Sequence, residues 1–448
     1  MGKPRTIYTC SHCGYQTSKW FGRCGECKQW AGLVEQVDSA ASRPGADAAP
    51  VQLSAVRTDR GEVRLRVGIS ELDRCLGGGL VAGSLTLLGG DPGVGKSTLL
   101  LMALDAFAKR GLKTLYVSAE ESALQVRLRA ERLGIVGDDL YILADTDLDK
   151  AIAAAEKLQP AVVVLDSVQT LYSSRLDGVP GAVTQVREVA SKAMAFAKGR
   201  NVPTFLVGHV TKQGGLAGPK TLEHLVDTVI YFEGEGRTQL RCLRSTKNRF
   251  GSTGELGFFE MTGAGLAEVP DASARLLAER CPGAPGTAVI SALEGTRAVL
   301  AEIQALVGRP TPSTPTRKVV GLDKARLSMV LAVLGKCGMH LHDRDVFLSA
   351  AGGIRLQEPA TDLAVAAAVA SSLCDKPIDK HTVLFGEVGL AGEVRSTPQM
   401  AARLREAHRH GFTRVIAPQA AVKHAPKGLI VTPVRSLAEA LAVTGLRS

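Results

Sequence analysis

Short apolar runs alternate with stretches of helical periodicity through the middle of the chain. The apolar runs predict buried strands at Ser84–Leu88, Thr114–Ser118, Ala161–Asp166, Thr204–Val210 and Thr228–Phe232. The helical stretches are Ala123–Leu133, Asp147–Lys157 and Thr184–Lys198. Strands that alternate with helices in this way predict a largely parallel sheet flanked by helices, so the expected fold class is α/β.

A second α/β pattern begins near residue 284 and continues to residue 448. It opens with the strand-like run Thr287–Glu294 and contains the helical stretches Asp323–Leu334 and Asp362–Leu373. Residues 38–56 have no periodicity and few bulky side chains, which indicates a linker. We therefore predict a small module at 1–37, a linker at 38–56, an α/β domain at 57–275 and a second α/β domain at 284–448.

Four of the nine cysteines form the pattern C-x2-C-x10-C-x2-C, namely Cys10, Cys13, Cys24 and Cys27. Paired CxxC motifs in a reducing compartment favour a tetrahedral Zn²⁺ site over disulfides. A segment this short has no core of its own, so the metal would supply its folding free energy. A redox-active CxxC or an iron site would use the same residues, and these alternatives stay open. We expect the chain's two tryptophans, Trp20 and Trp30, to cover the small metal core.

Composition limits the class of protein without naming its partner. Hydrophobic residues make up 45% of the chain and charged residues 22%, as in proteins that bury a sizeable core. No apolar run approaches the roughly 18–20 residues of a membrane span, and the first residues lack the apolar segment of a signal peptide. We therefore expect a cytoplasmic protein with no membrane partner. The net charge of +10 permits a polyanionic ligand but does not require one.

A complete phosphate-binding loop of the form G-x-x-x-x-G-K-[ST] follows the first predicted strand. Its expected nucleotide-binding residues are Gly90, Asp91, Pro92, Gly93, Val94, Gly95, Lys96, Ser97 and Thr98. Backbone N–H groups of such a loop surround the phosphates, the lysine reaches the β- and γ-phosphates, and the serine hydroxyl binds Mg²⁺. A strand before the loop and a helix after it complete the motif, so the sequence predicts binding of ATP with Mg²⁺.

Acidic and imidazole side chains end three of the predicted strands. Asp166 follows an apolar strand and is expected to bind Mg²⁺ together with Ser97, while Glu120 and Glu121 end another strand. One of these two glutamates is expected to activate the attacking water. His209 ends a third strand and is a candidate contact to the γ-phosphate. The carboxyl ends of parallel strands form one edge of such sheets, where ligands bind.

Several segments resemble known ATPases. The segments Leu72-Asp73, Gly77–Leu80 and Gly83–Leu85, followed by the phosphate loop, are similar to those of RecA-fold ATPases. The pentapeptide Lys247–Gly251 (KNRFG), with Thr253–Glu255, resembles the signature of the bacterial RadA (Sms) family of DNA-repair and recombination ATPases. The resemblance covers essentially the whole chain. It implies a RecA-like core with a parallel-rich sheet, between an N-terminal zinc finger and a C-terminal domain similar to that of Lon protease.

The resemblance also implies roles for individual residues. Glu120 matches the water-activating glutamate, with Glu121 as the weaker candidate, and His209 matches the nucleotide sensor that leads into a DNA-binding loop at 210–220. Lys247 and Arg249 are expected in a turn after a strand at Gln239–Arg244, from which they would reach the nucleotide of a neighbouring subunit. The implied assembly is a ring, expected to be a hexamer, with ATP at the subunit interfaces.

The Lon-like domain resembles a protease that has lost its catalytic Ser-Lys dyad. The position of the serine nucleophile is occupied by Ala360, and the position of the lysine aligns with Ala401. Nucleophilic catalysis of this kind is then chemically impossible, so we expect no protease activity. Basic residues of the domain would suit a surface that faces DNA: Arg317, Lys318, Lys324, Arg326, Arg344 and Arg355.

The function implied by the resemblance is a DNA-dependent ATP hydrolase of DNA repair and homologous recombination. It would be a helicase-like ring motor that binds single-stranded and branched DNA. Its partner would be a RecA-type recombinase, whose strand-exchange products it would extend by branch migration. The alternative is an ATP-switched scaffold that binds DNA or recombinase without translocating.

Overall fold

The computed structural model describes residues 6–10, 13, 15–17, 19–30, 33–37, 52, 64–209, 219–234, 240–310 and 315–446. The chain forms two compact units. The first holds the described residues up to Gly234, with Arg241–Thr253 and Phe259–Glu268, and the second holds Gly254–Phe258 and the chain from Val269 onward. The domain limits predicted at residues 275 and 284 stay predictions. Apart from residue 52, the predicted linker at 38–56 lies outside the described residues.

The N-terminal segment forms a small antiparallel sheet. Its strands are β1 (Thr6–Cys10), β2 (Gln16–Thr17) and β3 (Leu33–Val37), in the order β2-β1-β3. The expectation that the two tryptophans cover the metal core is wrong. Trp20 and Trp30 are 59% and 72% exposed, and the partly buried Tyr8 packs against the buried sulfurs of Cys10 and Cys24 instead.

The central α/β region forms a nine-stranded sheet within the described residues. Its strands, with two short ones beside it, are β4 (Arg64–Leu65), β5 (Leu80–Val81), β6 (Leu85–Gly90), β7 (Thr114–Ser118), β8 (Leu140–Ala144), β9 (Val162–Asp166), β10 (Thr204–His209), β11 (Thr228–Glu233), β12 (Leu240–Asn248), β13 (Leu256–Thr262) and β14 (Gly265–Glu268). Its helices are α1 (Ser70–Cys75), α2 (Lys96–Ala108), α3 (Ala123–Arg132), α4 (Leu148–Leu158) and α5 (Val183–Arg200). The strand order is β14-β13-β12-β11-β6-β10-β9-β7-β8, and the six strands from β11 to β8 are parallel.

Burial on both faces explains why the central strands read as unbroken apolar runs. Successive residues of β9 show the alternation: Val162 and Val164 join the hydrophobic cluster that includes α2, whereas Val163 and Leu165 join the cluster that includes α4 and α5. The predicted α/β class and the parallel-rich central sheet are therefore confirmed.

The expected position of the KNRFG pair is wrong at its first residue. Strand β12 does not end at Arg244 but continues to Asn248, so Lys247 lies in the strand, opposite Val229, and only Arg249 follows it. The pairing of β12 with β11 shifts its register between Val229 and Ile230. The last residues of β12 are polar, so the hydrophobic pattern did not predict that the strand continues through them. Their buried polar groups form hydrogen bonds with other elements, and the Asn248 side chain donates to the Leu76 carbonyl at 3.2 Å.

Among the described residues, the second unit forms a seven-stranded mixed sheet covered by helices. Its elements are α6 (Ala272–Leu277), β15 (Thr287–Glu294), β16 (Arg297–Gly308), β17 (Arg317–Val320), α7 (Lys324–Lys336), β18 (Asp345–Ala350), α8 (Asp362–Cys374), β19 (Thr382–Leu384), β20 (Glu387–Val388), β21 (Val394–Arg395), α9 (Met400–Arg409), β22 (Arg414–Pro418), β23 (Ile430–Val434) and α10 (Leu437–Val443). The sheet has the order β17-β18-β16-β15-β19-β22-β23, and β20 pairs with β21. The alanine-rich α8 is buried along most of its length, which explains its lack of a polar face. No helix in the described part of the chain is long and apolar enough to cross a membrane.

Candidate functional site

The phosphate loop connects β6 to α2 and depends on glycine at its first position. Gly90 has φ of 155°, and a side chain there would place its Cβ 2.4 Å from the Phe232 carbonyl oxygen of the neighbouring strand β11. Only glycine fits so close to that backbone. The loop ends at Gly95, and α2 begins at Lys96, so the free N–H groups of the first helical turn border the loop. This arrangement can bind an anion.

Lys96, the first residue of α2, is buried against the loop. Its Nζ donates to the carbonyl oxygens of Gly90 at 2.8 Å and Asp91 at 3.0 Å. Burial lowers the pKa of this amine to about 8, while the nearby carboxylates of Asp166 and Glu120 act in the opposite direction. A phosphate oxygen in place of the two carbonyls would favour the charged amine.

The remaining loop residues divide between cleft and core. An open cleft of about 390 Å³ is lined by Lys96 together with Pro92, Gly93, Gly95, Ser97 and Thr98. Val94 packs into the hydrophobic core, so its side chain is unavailable to a ligand. Asp91 is exposed, and its carbonyl is one of the two that hold Lys96.

Asp166 ends β9 beside the loop and accepts two hydrogen bonds on one oxygen. The Ser97 hydroxyl donates to Asp166 Oδ2 at 2.6 Å, and the buried Tyr116 hydroxyl donates to the same atom. Burial, reinforced by the Asp166 charge, raises the pKa of Tyr116 well above its ordinary value, so the phenol stays a donor. Carboxylate and hydroxyl oxygens are the ligands that Mg²⁺ prefers. The donor set of Ser97 and Asp166 therefore fits that ion.

The two adjacent glutamates have different environments. Glu120 Oε1 accepts a hydrogen bond from the Ser167 hydroxyl and lies 3.2 Å from His209 Nε2. The hydrogen bond from His209, supported by the one from Ser167, lowers the pKa of Glu120 to about 2 although partial burial opposes the shift. Glu121 instead forms an ion pair with Arg129 of α3. Both glutamates line the cleft, but only Glu120 is bound to the strand ends that carry Asp166 and His209.

His209 is the last residue of β10 and is held by a side-chain amide. Gln169 Nε2 donates to the His209 carbonyl at 3.1 Å, and the His209 N–H donates to Gln169 Oε1 at 3.3 Å. These two bonds fix both backbone groups of His209 to the segment after β9. The expected DNA-binding loop begins at the next residue, and its residues 210–218 lie outside the described part of the chain.

Sequence reasoning missed several residues of the cleft. Besides the predicted residues, the cleft is lined by Ser118, Arg129, Arg132 and Met261, and Tyr116 lies just behind it. Strand alternation offered one signal. Residues two apart along a strand point to the same face, so Tyr116 and Ser118 of β7 lie on the same side as Glu120, which follows the strand. Arg129 and Arg132 are three residues apart on α3 and so lie on one side of that helix.

Lys247 and Arg249 do not line this cleft. Lys247 Nζ donates to the carbonyls of Glu223 at 2.6 Å and Val226 at 2.8 Å, and burial lowers the pKa of its amine. Arg249 is half exposed and pairs with the buried Asp227 at 3.1 Å. The pair thus contacts the turn before β11, and neither residue lines the cleft around the phosphate loop.

The four predicted cysteines form a second candidate site. The Sγ atoms of Cys10 and Cys27 are 3.6 Å apart, those of Cys13 and Cys24 are 3.5 Å apart, and all four lie within 4.8 Å of one another. A tetrahedral zinc site with Zn–S bonds of about 2.3 Å requires S–S distances of about 3.8 Å. The cluster therefore fits one tetrahedral thiolate-bound ion.

The structure brings together the two segments of the second unit that match the Lon dyad. Ala360 is buried in the short turn Pro359–Thr361, and Ala401 lies on α9. Arg403, fully buried on α9, pairs with Glu358 just before that turn and donates to the Ser291 carbonyl at 2.6 Å. An ion pair thus joins the two segments where the protease resemblance would place a serine and a lysine.

One of the basic residues expected to face DNA has another partner. Arg326 forms a two-bond ion pair with the buried carboxylate of Asp362 at the start of α8. Because both nitrogens that make these bonds are directed at the carboxylate, Arg326 supports the fold of the second unit.

Three family models match separate segments of the chain. Residues 8–35 match the family described as rubredoxin metal binding domain, residues 48–215 the AAA domain, and residues 312–421 the subunit ChlI of Mg-chelatase. A KaiC-like protein of Pyrococcus horikoshii is 21% identical with a TM-score of 0.39, over 46% of this chain and 99% of its own.

Curated relatives match almost the whole chain. The DNA repair protein RadA of Pseudomonas aeruginosa is 47% identical over 450 residues, and those of Streptococcus pyogenes (serotype M6) and Bacillus subtilis are 45% and 44% identical. Each match covers 98% of this chain and 99% of the relative. The chain therefore belongs to the RadA family of DNA repair proteins, with a zinc ribbon, a RecA-like P-loop ATPase core and a Lon-like C-terminal domain.

Proposed function

We propose that this protein is a DNA-dependent ATPase of DNA repair and homologous recombination that works as a ring-shaped motor on single-stranded and branched DNA. Its role would be to extend the strand-exchange products of a RecA-type recombinase by branch migration. The observation that carries the proposal is the bond between Glu120 and His209. It links the residue that would act on the attacking water to the residue that begins the expected DNA-binding loop.

Hydrolysis would use the side chains around the phosphate loop. Lys96 would leave the Gly90 and Asp91 carbonyls for phosphate oxygens, and Ser97 and Asp166 would bind Mg²⁺, which neutralises phosphate charge when present. Tyr116 would keep Asp166 oriented through its hydroxyl. Such positioning is the main protein contribution to phosphoryl transfer.

We assign water activation to Glu120 rather than Glu121. The carboxylate of Glu120 is 40% exposed, faces the cleft and remains ionised at neutral pH because its pKa is about 2. Such a weak base orients the water and accepts its proton only late in the reaction. Glu121 is neutralised by Arg129, which leaves it less suited to this task.

Coupling to DNA would pass through His209 and Gln169. A γ-phosphate that draws His209 Nε2 away from Glu120 would also strain the two hydrogen bonds between His209 and Gln169. Since residues 210–218 follow His209 directly, a shift at this residue would reach the expected DNA-binding loop. Because such coupling is reciprocal, DNA bound at the loop would in turn favour one nucleotide state of the cleft.

Lys247 and Arg249 would act on the nucleotide of a neighbouring subunit in a ring, expected to be a hexamer. Their distance from the cleft residues of their own chain supports a role in trans, as does the exposure of Arg249. A cation supplied across an interface stabilises the transferring phosphoryl group and is worth roughly 10³–10⁵ in rate.

Mixing two inactive variants tests this arrangement. Lys96→Ala subunits lack the phosphate contact, and Lys247→Ala subunits lack the trans cation. In equimolar mixed rings about one interface in four joins an intact cleft to an intact cation, so about a quarter of wild-type ATPase should return. No recovery in rings that demonstrably mix would contradict the role in trans.

Unwinding of a forked DNA separates the motor from the alternative of an ATP-switched scaffold. A motor displaces the annealed strand only with hydrolysable ATP, and Glu120→Gln should bind the fork without unwinding it. A scaffold binds the fork in both cases and never displaces a strand. We also propose that the Lon-like unit has no peptidase activity, because Ala360 and Ala401 supply neither a nucleophile nor a base.

A further inference from the structure

The exposed aromatic side chains of the zinc ribbon have no structural role in the metal core. Trp30 is 72% exposed, Trp20 59% and Phe21 51%, whereas the thiolates are packed by Tyr8. Large aromatic side chains that remain in water commonly mark a binding surface, because their burial by a ligand is strongly favourable.

Both indole rings approach the same glycine, Gly22. A Cβ added to Gly22 would lie 3.7 Å from Cζ3 of Trp30 and 3.9 Å from Cη2 of Trp20, so both rings border the same backbone position. The backbones of Arg23 and Trp30 pair in an isolated antiparallel β-bridge, which fixes this part of the second CxxC segment. The Arg23 Nε also donates to the Lys28 carbonyl at 2.7 Å. The rings are therefore presented from a hydrogen-bonded turn beside the metal site.

Positive charge surrounds the rings. Between residues 19 and 30 the chain carries the exposed bases Lys19, Arg23 and Lys28 against the single acid Glu26. The Arg23 guanidinium lies 5.8 Å from the centre of the Trp30 ring. Aromatic faces next to cations suit an anionic ligand that also has flat rings of its own.

We propose that this face, formed by Trp20, Trp30 and Arg23 with Lys19 and Lys28, binds single-stranded nucleic acid by stacking unpaired bases on the two indoles. The bases would meet the rings while the cations meet the phosphates. A duplex would engage only the cations, since its bases already stack on one another. This inference rests on the proposed function and deepens it, because it names a second DNA contact outside the ATPase core.

Tryptophan fluorescence of the full-length, zinc-loaded protein tests the proposal directly. Trp20 and Trp30 are the only tryptophans of the chain, so the emission reports on this face alone. Oligo(dT) should quench the emission, whereas an abasic oligonucleotide of the same length, with the same phosphates but no bases, should not. Trp20→Leu and Trp30→Leu should each weaken oligo(dT) binding by about 10- to 100-fold, and the matched Trp→Phe variants should retain most of the affinity because they keep an aromatic face. Unchanged zinc content would show that the Leu variants still fold.

Two results would overturn the inference. Equal quenching by the abasic oligonucleotide would mean that the face binds phosphate charge alone. Full oligo(dT) affinity in the double Leu variant, with unchanged stimulation of ATPase by DNA, would mean that the two indoles do not bind DNA, while the proposed function stands. If the wild-type protein shows neither DNA binding nor DNA-stimulated ATPase, the proposed function itself fails.

Discussion

Replacing Glu120 by glutamine should stop ATP hydrolysis and leave ATP binding intact. The substitution keeps the size of the side chain and an oxygen that can still accept from Ser167, but removes the negative charge beside His209. A positioned carboxylate contributes typically 10²–10⁴-fold to rate, so we expect kcat to fall by about that factor, which corresponds to roughly 2.7–5.4 kcal/mol. Glu121→Gln is the matched control, because the adjacent residue is paired with Arg129 and should lose less than about 10-fold.

Two measurements on each variant check this reasoning. Steady-state phosphate release with single-stranded DNA gives kcat, and a fluorescent non-hydrolysable ATP analogue with Mg²⁺ gives the nucleotide affinity. Glu120→Gln should bind the analogue as wild type does, since its charge is not among the expected phosphate contacts. Equal loss of kcat in both variants, or a large loss of affinity in Glu120→Gln, would refute the separate roles.

The pH dependence provides an independent check on the same carboxylate. A folded-state pKa near 2 keeps Glu120 ionised at all pH values above about 4, so this group should cause no decline of kcat between pH 5 and 8. An acid limb with a midpoint near pH 6 that disappears in Glu120→Gln would mean that the pKa of this residue is raised. The hydrogen bonds from His209 and Ser167 would then not stabilise the charged form.

Three further substitutions test the supporting contacts. Tyr116→Phe removes the hydroxyl that donates to Asp166, the expected Mg²⁺ ligand. The half-saturating Mg²⁺ concentration of the ATPase should rise by about 10-fold, with little change of kcat at saturating Mg²⁺. An unchanged Mg²⁺ requirement would contradict a role of this hydrogen bond in Mg²⁺ binding. Arg403→Leu removes the fully buried member of the ion pair with the partly buried Glu358 and should lower the free energy of unfolding by about 3–5 kcal/mol. The exposed Arg409→Leu should lower it by less than about 1 kcal/mol, and equal losses in a denaturant titration would contradict the structural role of Arg403. Cys24→Ala with Cys27→Ala should abolish bound zinc in elemental analysis, and retained zinc would exclude the four-cysteine site.

Local sequence determined the elements and the contiguous chemistry of this protein. The buried strands Thr114–Ser118 and Thr287–Glu294 have the predicted limits, because burial on both faces leaves an apolar run that ends where the strand ends. The phosphate loop and the CxxC pairs could be read directly, since each places its groups within a few residues. The RadA resemblance depended on such contiguous motifs as well, and the relatives confirm it.

Only the tertiary structure decided which distant groups meet. It separated Glu120, bound to Ser167 and His209, from Glu121, bound to Arg129, although the two are neighbours in sequence. It brought Tyr116 to Asp166 across adjacent strands and extended β12 through a polar segment whose partners lie elsewhere in the chain. It also left both tryptophans exposed to water, because Tyr8 packs against the cysteine cluster in their place. Periodicity records whether a side chain is buried, but its partner depends on how strands and helices pack.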